Sequence, residues 1–280
     1  MKQFFIIVIA LIVSFAVNAQ QHKETIKKEI IFPESADAVL VIENIFGDIQ
    51  VEGYSGDRVV LEIDNEFNAD TEKELEEAMK KVFLAFETRD DTIDVFLDGI
   101  CGCHHNKSRN YNWNQCEFEF RYDFKVKVPI RANINISTVN DGVVYIENIS
   151  GKVAASNVNG GITVENISGP ANVHAINGEV VVRHAKNPSG KSKYYSLNGD
   201  VNVYYHSNLS ADMRFKSFQG DMFTNFDISE WLAPVIKTTQ SKNKNGTSYR
   251  IENKTAVRIG KGGVILDFET FNGDVYVRKI

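Results

Sequence analysis

Cysteine is scarce in this sequence: 280 residues hold three, at positions 101, 103 and 116. Small domains that replace a core with disulfides are thereby excluded, and the fold must stand on packing. Clusters of basic residues are missing as well. The 31 Lys and Arg are scattered among 37 Asp and Glu, giving a formal charge of −6, so the electrostatic footprint of a nucleic-acid binder is absent. After residue 17 no apolar run is long enough to cross a bilayer as a helix. Neither a Gly-x-Ser-x-Gly elbow nor a His-Glu-x-x-His helix occurs, which removes two common hydrolytic arrangements.

What is present begins with Lys2, an apolar run from Phe4 to Val17, and the small-residue approach to Ala19. This is the three-part pattern of a secretory signal peptide. Residues 1–19 are therefore expected to be removed, 20–34 to form a lead-in, and the mature chain to carry no transmembrane anchor. An uncleaved N-terminal anchor is the alternative. The chain is expected to be exported, to the periplasm or the cell surface.

From Gly142 the glycines fall at 142, 151, 160, 169 and 178. Spacing this regular marks a repeat architecture. The second and fourth residues after each glycine are apolar: Val144 and Ile146, Val153 and Ala155, Ile162 and Val164, Ala171 and Val173, Val180 and Val182. Alternation with period two puts both on one face of a short strand. Corners of two kinds alternate between these strands. One kind carries Asn159-Gly160 or Asn177-Gly178, the other Asn148-Ile149-Ser150-Gly151 or Asn166-Ile167-Ser168-Gly169. Gly and Asn tolerate positive φ, which suits both kinds. The true repeat is thus about 18 residues, two strands and two corners, and such units gain a core by stacking. Looser copies occur around Gly47, Gly199, Gly220 and Gly273, with the spacing widening to about 21.

These features predict an all-β, single-chain β-solenoid of β-helix-like form over residues 35–280. Two stretches interrupt it. Within 57–130, Thr71 to Glu74 form a capping-box pattern, with Leu75, Ala78, Met79 and Val82 at helical spacing behind it. One short amphipathic helix is expected there, then a hairpin from Val82 to Asp98 and a long alternating strand from Glu117 to Val128. The second interruption, 225–250, holds Trp231, Pro234 and a polar run from Ser241 to Gly246, and is expected to be an exposed loop.

The closing stretch from Gly260 to Lys279, with the Glu-Asn-Ile-x-Gly and Asn-Gly-Asp-Val units, resembles the "putative adhesin" family of exported bacterial domains, a domain of unknown function common in Bacteroidetes-like genomes. The resemblance covers most of residues 35–280. It implies an adhesin-like solenoid at the cell envelope and supplies no catalytic residues.

One local cluster stands out: Cys101, Cys103, His104 and His105, with Cys116 across an Asn-rich loop. Three thiols and two imidazoles are enough for a tetrahedral zinc or copper(I) site. In an oxidising compartment the same residues offer a disulfide from Cys101 or Cys103 to Cys116. Metal, disulfide and free thiols all stay open. If the flanking strands pair as a hairpin, the two ends of this loop meet at its base. Asp48, Asp200, Asp221 and Asp274 each follow a corner glycine, where stacking would align them as a calcium ladder, although the spacing of calcium-binding β-rolls is missing. Tyr194, Tyr195, Tyr204, Tyr205, Phe215 and Phe218 form an aromatic zone suited to coil packing or to stacking on sugars. His174, His184 and His206 are expected at the surface. The function these residues predict is a non-enzymatic binding or scaffolding module with an envelope protein or a glycan as partner. A metal-binding or redox-responsive protein and a glycan-active enzyme are the alternatives.

Overall fold

The computed structural model describes residues 20–99, 118–243 and 246–280. Its elements are β1 (Gln20–Ile31), β2 (Val39–Glu43), β3 (Ile49–Tyr54), β4 (Arg58–Ala69), α1 (Glu72–Lys81), β5 (Phe83–Arg89), β6 (Thr92–Asp98) and β7 (Phe118–Pro129), followed by β8 (Asn133–Thr138), β9 (Val144–Glu147), β10 (Val153–Asn157), β11 (Ile162–Ile167), β12 (Ala171–Ala175), β13 (Val180–His184) and β14 (Ser192–Asn198). Then come β15 (Val201–Tyr205), β16 (Ala211–Lys216), β17 (Met222–Thr224), β18 (Ile228–Asn243), β19 (Gly246–Ile259), β20 (Val264–Asn272) and β21 (Val275–Lys279).

Among the described residues the strands form two mixed sheets. The first, of ten strands, runs β1-β4-β7-β3-β9-β11-β13-β15-β21-β17; the second, of eleven, runs β18-β19-β16-β20-β14-β12-β10-β8-β2-β6-β5. From β8 to β15 consecutive strands alternate between the sheets, and each as far as β13 pairs in parallel with the strand two places on. The ten apolar positions picked out by the glycine spacing are all at most 3 % exposed. They face inward from both sheets, and burying such side chains contributes roughly 1.5–3 kcal/mol apiece for the larger ones.

Corner asparagines record the winding: Asn177 lies over Asn159, 18 residues apart, and Asn198 over Asn177, 21 residues apart. The next coil departs from chain order. β14 pairs with β20, and β16 lies on the far side of β20. The chain therefore skips a place, builds β16 and β17, and returns to fill the gap with β20 and β21.

α1 closes one end of the stack. Thr71 caps it, and both bonds of the capping box form, Glu74 N–H to Thr71 Oγ1 at 3.2 Å and Thr71 N–H to Glu74 Oε2 at 3.1 Å. Leu75 and Ala78 are buried on its inner face. The first sheet has one more strand than the second at this end, and α1 packs on β4, β1 and β7 there. The expected hairpin is β5 with β6, and the long strand is β7.

The stretch 225–250 is not a loop. β18 and β19 pair antiparallel from Ile228 with Ile259 to Asn243 with Gly246, and β19 pairs with β16. The polar run from Ser241 marks the tip of this hairpin, and the strand signal of Trp231, Val235, Ile236, Thr238 and Thr239 outweighs Pro234, which sits where the register shifts. Pro is tolerated at such irregularities.

The corner glycines owe their conservation of spacing to contact more than to φ. Gly47, Gly220 and Gly273 have φ of 117°, 148° and 148°, but Gly142, Gly151, Gly160, Gly169, Gly178 and Gly199 are not among the positive-φ glycines. At the corners with Ile-Ser, positive φ falls on Asn148 and Asn166 instead, at 62° and 52°. The glycines stack: a Cβ on Gly160 would overlap the Gly142 carbonyl oxygen, one on Gly178 that of Gly160, and one on Gly199 that of Gly178. The row continues to Gly273 over Gly199 and Gly220 over Gly273, while Gly169 stacks over Gly151 at the opposite corners.

Buried polar side chains complete the corners. Thr138 Oγ1 donates to the Gly47 carbonyl, Asn157 Nδ2 to Gly142, Ser196 Oγ to Gly178 and Thr270 Oγ1 to Gly199, at 2.8–3.3 Å. Each is the core-facing residue nearest its corner, and each helps satisfy a corner carbonyl; that of Gly47 also accepts from Asn44 Nδ2 at 3.3 Å. Outside, Asn140, Asn159, Asn177, Asn198 and Asn272 form a ladder, each Nδ2 donating to the Oδ1 of the neighbour at 2.6–2.8 Å. Identical side chains stacked in register satisfy one another in this way.

Candidate binding surface

Cys101, Cys103, His104, His105 and Cys116 lie outside the described residues. The strands that flank them do not pair with each other: β6 belongs to the second sheet and β7 to the first. The hairpin premise for gathering this cluster is therefore wrong. The flanking strands pass from one sheet to the other, as consecutive strands do elsewhere in the stack.

The corner aspartates have another use than calcium. Asp48 Oδ1 accepts from Val143 N–H, Asp200 Oδ1 from Asp274 N–H and Asp274 Oδ1 from Asp221 N–H, each at 2.8 Å. Carboxylates thus hold the backbone of the adjacent coil. No group of three or more His, Cys, Asp or Glu suited to a metal occurs among the described residues.

The aromatic zone divides between inside and outside. Tyr194 and Tyr205 are fully buried, and Phe215 is nearly so. His184, expected at the surface, is 1 % exposed. Its Nε2 lies 2.8 Å from Tyr194 Oη, its ring stacks on Tyr205, and Tyr205 Oη donates to Tyr194 Oη at 3.0 Å. Burial, followed by repulsion from His206, pushes its pKa down to about 3, so the ring is neutral. It is the last residue of β13, and its alternation with Val180 and Val182 already places it inward.

Outward residues of the first sheet are tied to one another. Arg183 Nε meets Glu165 at 3.1 Å and its guanidinium lies over the Tyr204 ring. Arg278 Nη1 donates to Asn202 Oδ1 and to Tyr204 Oη, both at 3.0 Å. Tyr145 Oη donates toward Glu147 and Glu165. A hollow of about 370 Å³ on this face is walled by Lys125 and Lys127, which pair with Asp64 and Glu52. The hollow of about 540 Å³ beside Phe46 and Phe118 is similar, since its Arg121 is held by Asp123 and Asp48.

The outward face of the second sheet differs. Across β8, β10, β12 and β14 one row reads Asn135, Ala154, Asn172, Lys193, and the next Ser137, Ser156, His174, Tyr195. Small side chains at Ala154 and Ser156 leave a trough of about 280 Å³ between Asn135 and a wall of Asn172, His174, Lys193 and Tyr195. His174 stands edge-on to Tyr195 with centroids 4.4 Å apart. Desolvation, then the nearby Lys193 ammonium, holds its pKa below the usual histidine value. The side chains of Asn135, Ser156, Asn172 and Lys193 make no hydrogen bond to another described residue. Tyr195 was part of the aromatic zone legible in the sequence; the trough itself is signalled only by Ala154, Ser137 and Ser156 standing where the later coils carry larger residues.

No family model matches the chain, and no curated protein matches it. Solved structures similar to it include a "putative cell adhesion protein" from Clostridium sporogenes, at 12% identity and a TM-score of 0.45, covering 92% of this chain and 100% of that one. A "putative adhesin" from Bacteroides fragilis is 12% identical with a TM-score of 0.40, over 92% and 97% of the two chains. A "putative lipid binding protein" from Parabacteroides distasonis is 10% identical with a TM-score of 0.26, over 91% and 96%. Similarity this distant decides neither ligand nor activity.

Proposed function

We propose that the chain is a non-enzymatic binding module of the cell envelope, a flattened β-solenoid that takes a glycan segment in the trough of its second sheet. The observation that carries this reading is the contrast between the two faces. On the first sheet the polar groups satisfy one another, whereas Asn135, Asn172 and Ser156 leave theirs open beside an aromatic wall whose Tyr195 ring carries the Lys193 ammonium 5.7 Å from its centroid. Carboxamides present a donor and an acceptor together, which matches neighbouring sugar hydroxyls, and the Tyr195 ring offers an apolar surface for the C–H face of a sugar. The trough is at the small end of ligand sites, roughly 300 Å³ upward, which suits one or two sugar units of a longer chain. The outward carboxylates described above are committed to backbone amides, tyrosine hydroxyls or basic side chains, which supports binding without turnover. Export to the periplasm or surface, with residues 1–19 as the signal, is part of the same proposal.

A glycan array followed by titration tests it. Tyr195→Ala and Asn172→Ala are each expected to weaken binding at least tenfold, about 1.4 kcal/mol, with melting unchanged, while Tyr276→Ala on the other sheet leaves affinity as it was. Failure to bind any glycan, or indifference to both trough changes, rejects the assignment, and release of shortened sugar products rejects its non-enzymatic half.

A further inference from the structure

The end of the stack opposite α1 is a step. In the second sheet, β16 is followed by β19 and β18; in the first, β17 is the last strand and nothing lies beyond it among the described residues. Two strands of one sheet therefore overhang a place where the other has none. The core-facing column of the second sheet runs Leu266, Met213, Val257, Trp231 by direct pairing. Leu266 and Met213 are fully buried and Val257 is 2 % exposed, but Trp231 is 71 % exposed. In the first sheet, Val201 and Val275 are fully buried and Met222, next in their column, is 39 % exposed. Ile228 and Ile236 on the overhang are 37 % and 65 % exposed. Phe226, on the link between β17 and β18, is buried in the core, with the Lys279 ammonium over its ring.

We infer that two copies of the chain interlock here, the β18–β19 overhang of each filling the step of the other. A step made of one overhanging sheet and one short sheet is self-complementary under a two-fold axis along the strands. That axis exchanges the layers, so each overhang meets the open edge of the other copy's β17. Strand direction permits the pairing. β18 runs with β16, since both are antiparallel to β19, and the short corner between β16 and β17 reverses the chain, so β18 of one copy runs antiparallel to β17 of the other. Such a contact is isologous and closes at two copies. It would also complete both sheets and cover Trp231, Ile228 and Met222. Trp231 is the main apolar surface on the step, an aromatic side chain of about 150–250 Å² in full, with Ile228, Ile236 and Met222 around it. Backbone pairing of β18 with β17 adds to what the contact buries, toward the roughly 1,000 Å² of a credible interface. At the other end α1 occupies the corresponding place, packed on β4, β1 and β7, so that end does not present the same step.

Light scattering across a concentration series tests the inference on the full chain. The expected molar mass is twice that of the chain, and Trp231→Glu or Met222→Lys is expected to return it to the monomer. Phe83→Lys, an exposed position near α1, should leave the dimer intact. Amide exchange in β17 should slow as the dimer forms and stay fast in the Trp231→Glu protein, whose circular dichroism reports whether it is folded. A monomer at every concentration, or a dimer indifferent to both step changes, overturns the inference. So does a monomer whose β17 amides slow only on adding a synthetic strand peptide, which would assign the step to a foreign strand.

Discussion

A methyl group at Gly160 would meet the carbonyl oxygen of Gly142, while one at Gly190 would only touch the Pro170 ring at 3.4 Å. Stacked coils approach too closely at the first site for any Cβ, and the backbone would have to separate. Gly160→Ala is therefore expected to lower stability by about 1–3 kcal/mol, the usual cost of overpacking, and Gly190→Ala to be tolerated; thermal unfolding of the two side by side is the check. Equal melting points would show that the coils have slack at this corner. His184 gives a second prediction at the same scale. Its folded pKa of about 3 lies below the ordinary 6.5, so the unfolded chain takes up a proton first as pH falls. Its contribution is complete above pH 6.5 and is lost between there and about 3, at up to about 1.4 kcal/mol per pH unit. Denaturant titrations of the native protein and His184→Gln should diverge in their pH dependence over that window, and parallel curves would contradict the assignment.

At the scale of elements, α1 shows how local signals and tertiary need can agree. The capping box from Thr71 to Glu74 and the run Leu75, Ala78, Val82 locate the helix in the sequence, and the structure puts it where the first sheet outruns the second. Thr71→Ala should cost about 1 kcal/mol, seen as a lower denaturant midpoint with little change in the far-ultraviolet spectrum. A midpoint that does not move would mean that packing on β4 alone holds the helix. The β18–β19 hairpin is the opposite case. Its alternating residues were legible, but Pro234 and the polar tip read as a loop, because nothing local reveals that β16 offers an edge for β19 to extend. The trough was illegible for a related reason. Asn135, Ser156, Asn172 and Lys193 come from four strands, and only parallel pairing at steps of 19, 18 and then 21 residues brings them side by side.

At the scale of the whole molecule, the glycine spacing pointed to short alternating strands and to the residues that face inward from both sheets. It did so because each coil repeats the same contacts with its neighbour. The asparagine ladder was not foreseen from the Asn-Gly corners, since an Asn at a corner reads simply as a turn residue. What the period cannot carry is the order of the coils in space. Gly199, Gly220 and Gly273 look like successive steps, yet they stack as Gly199, Gly273, Gly220, since any coil with the same grammar fits any open place. His184 was misplaced because its type was weighed before its position in β13.

That exchange of places has a consequence in time. β16 and β17 are made before β20 and β21 but cannot take their final partners without them, as Asn272 must settle on Asn198 across 74 residues of chain. The coils from β8 to β15 can wind in the order of synthesis, while the far end waits for a late segment to slide between strands already made. Closing so long a loop is slow relative to local pairing. The segment 264–279 thus acts as a latch: until it is seated, the two ends of the stack are separate bodies joined by a thread.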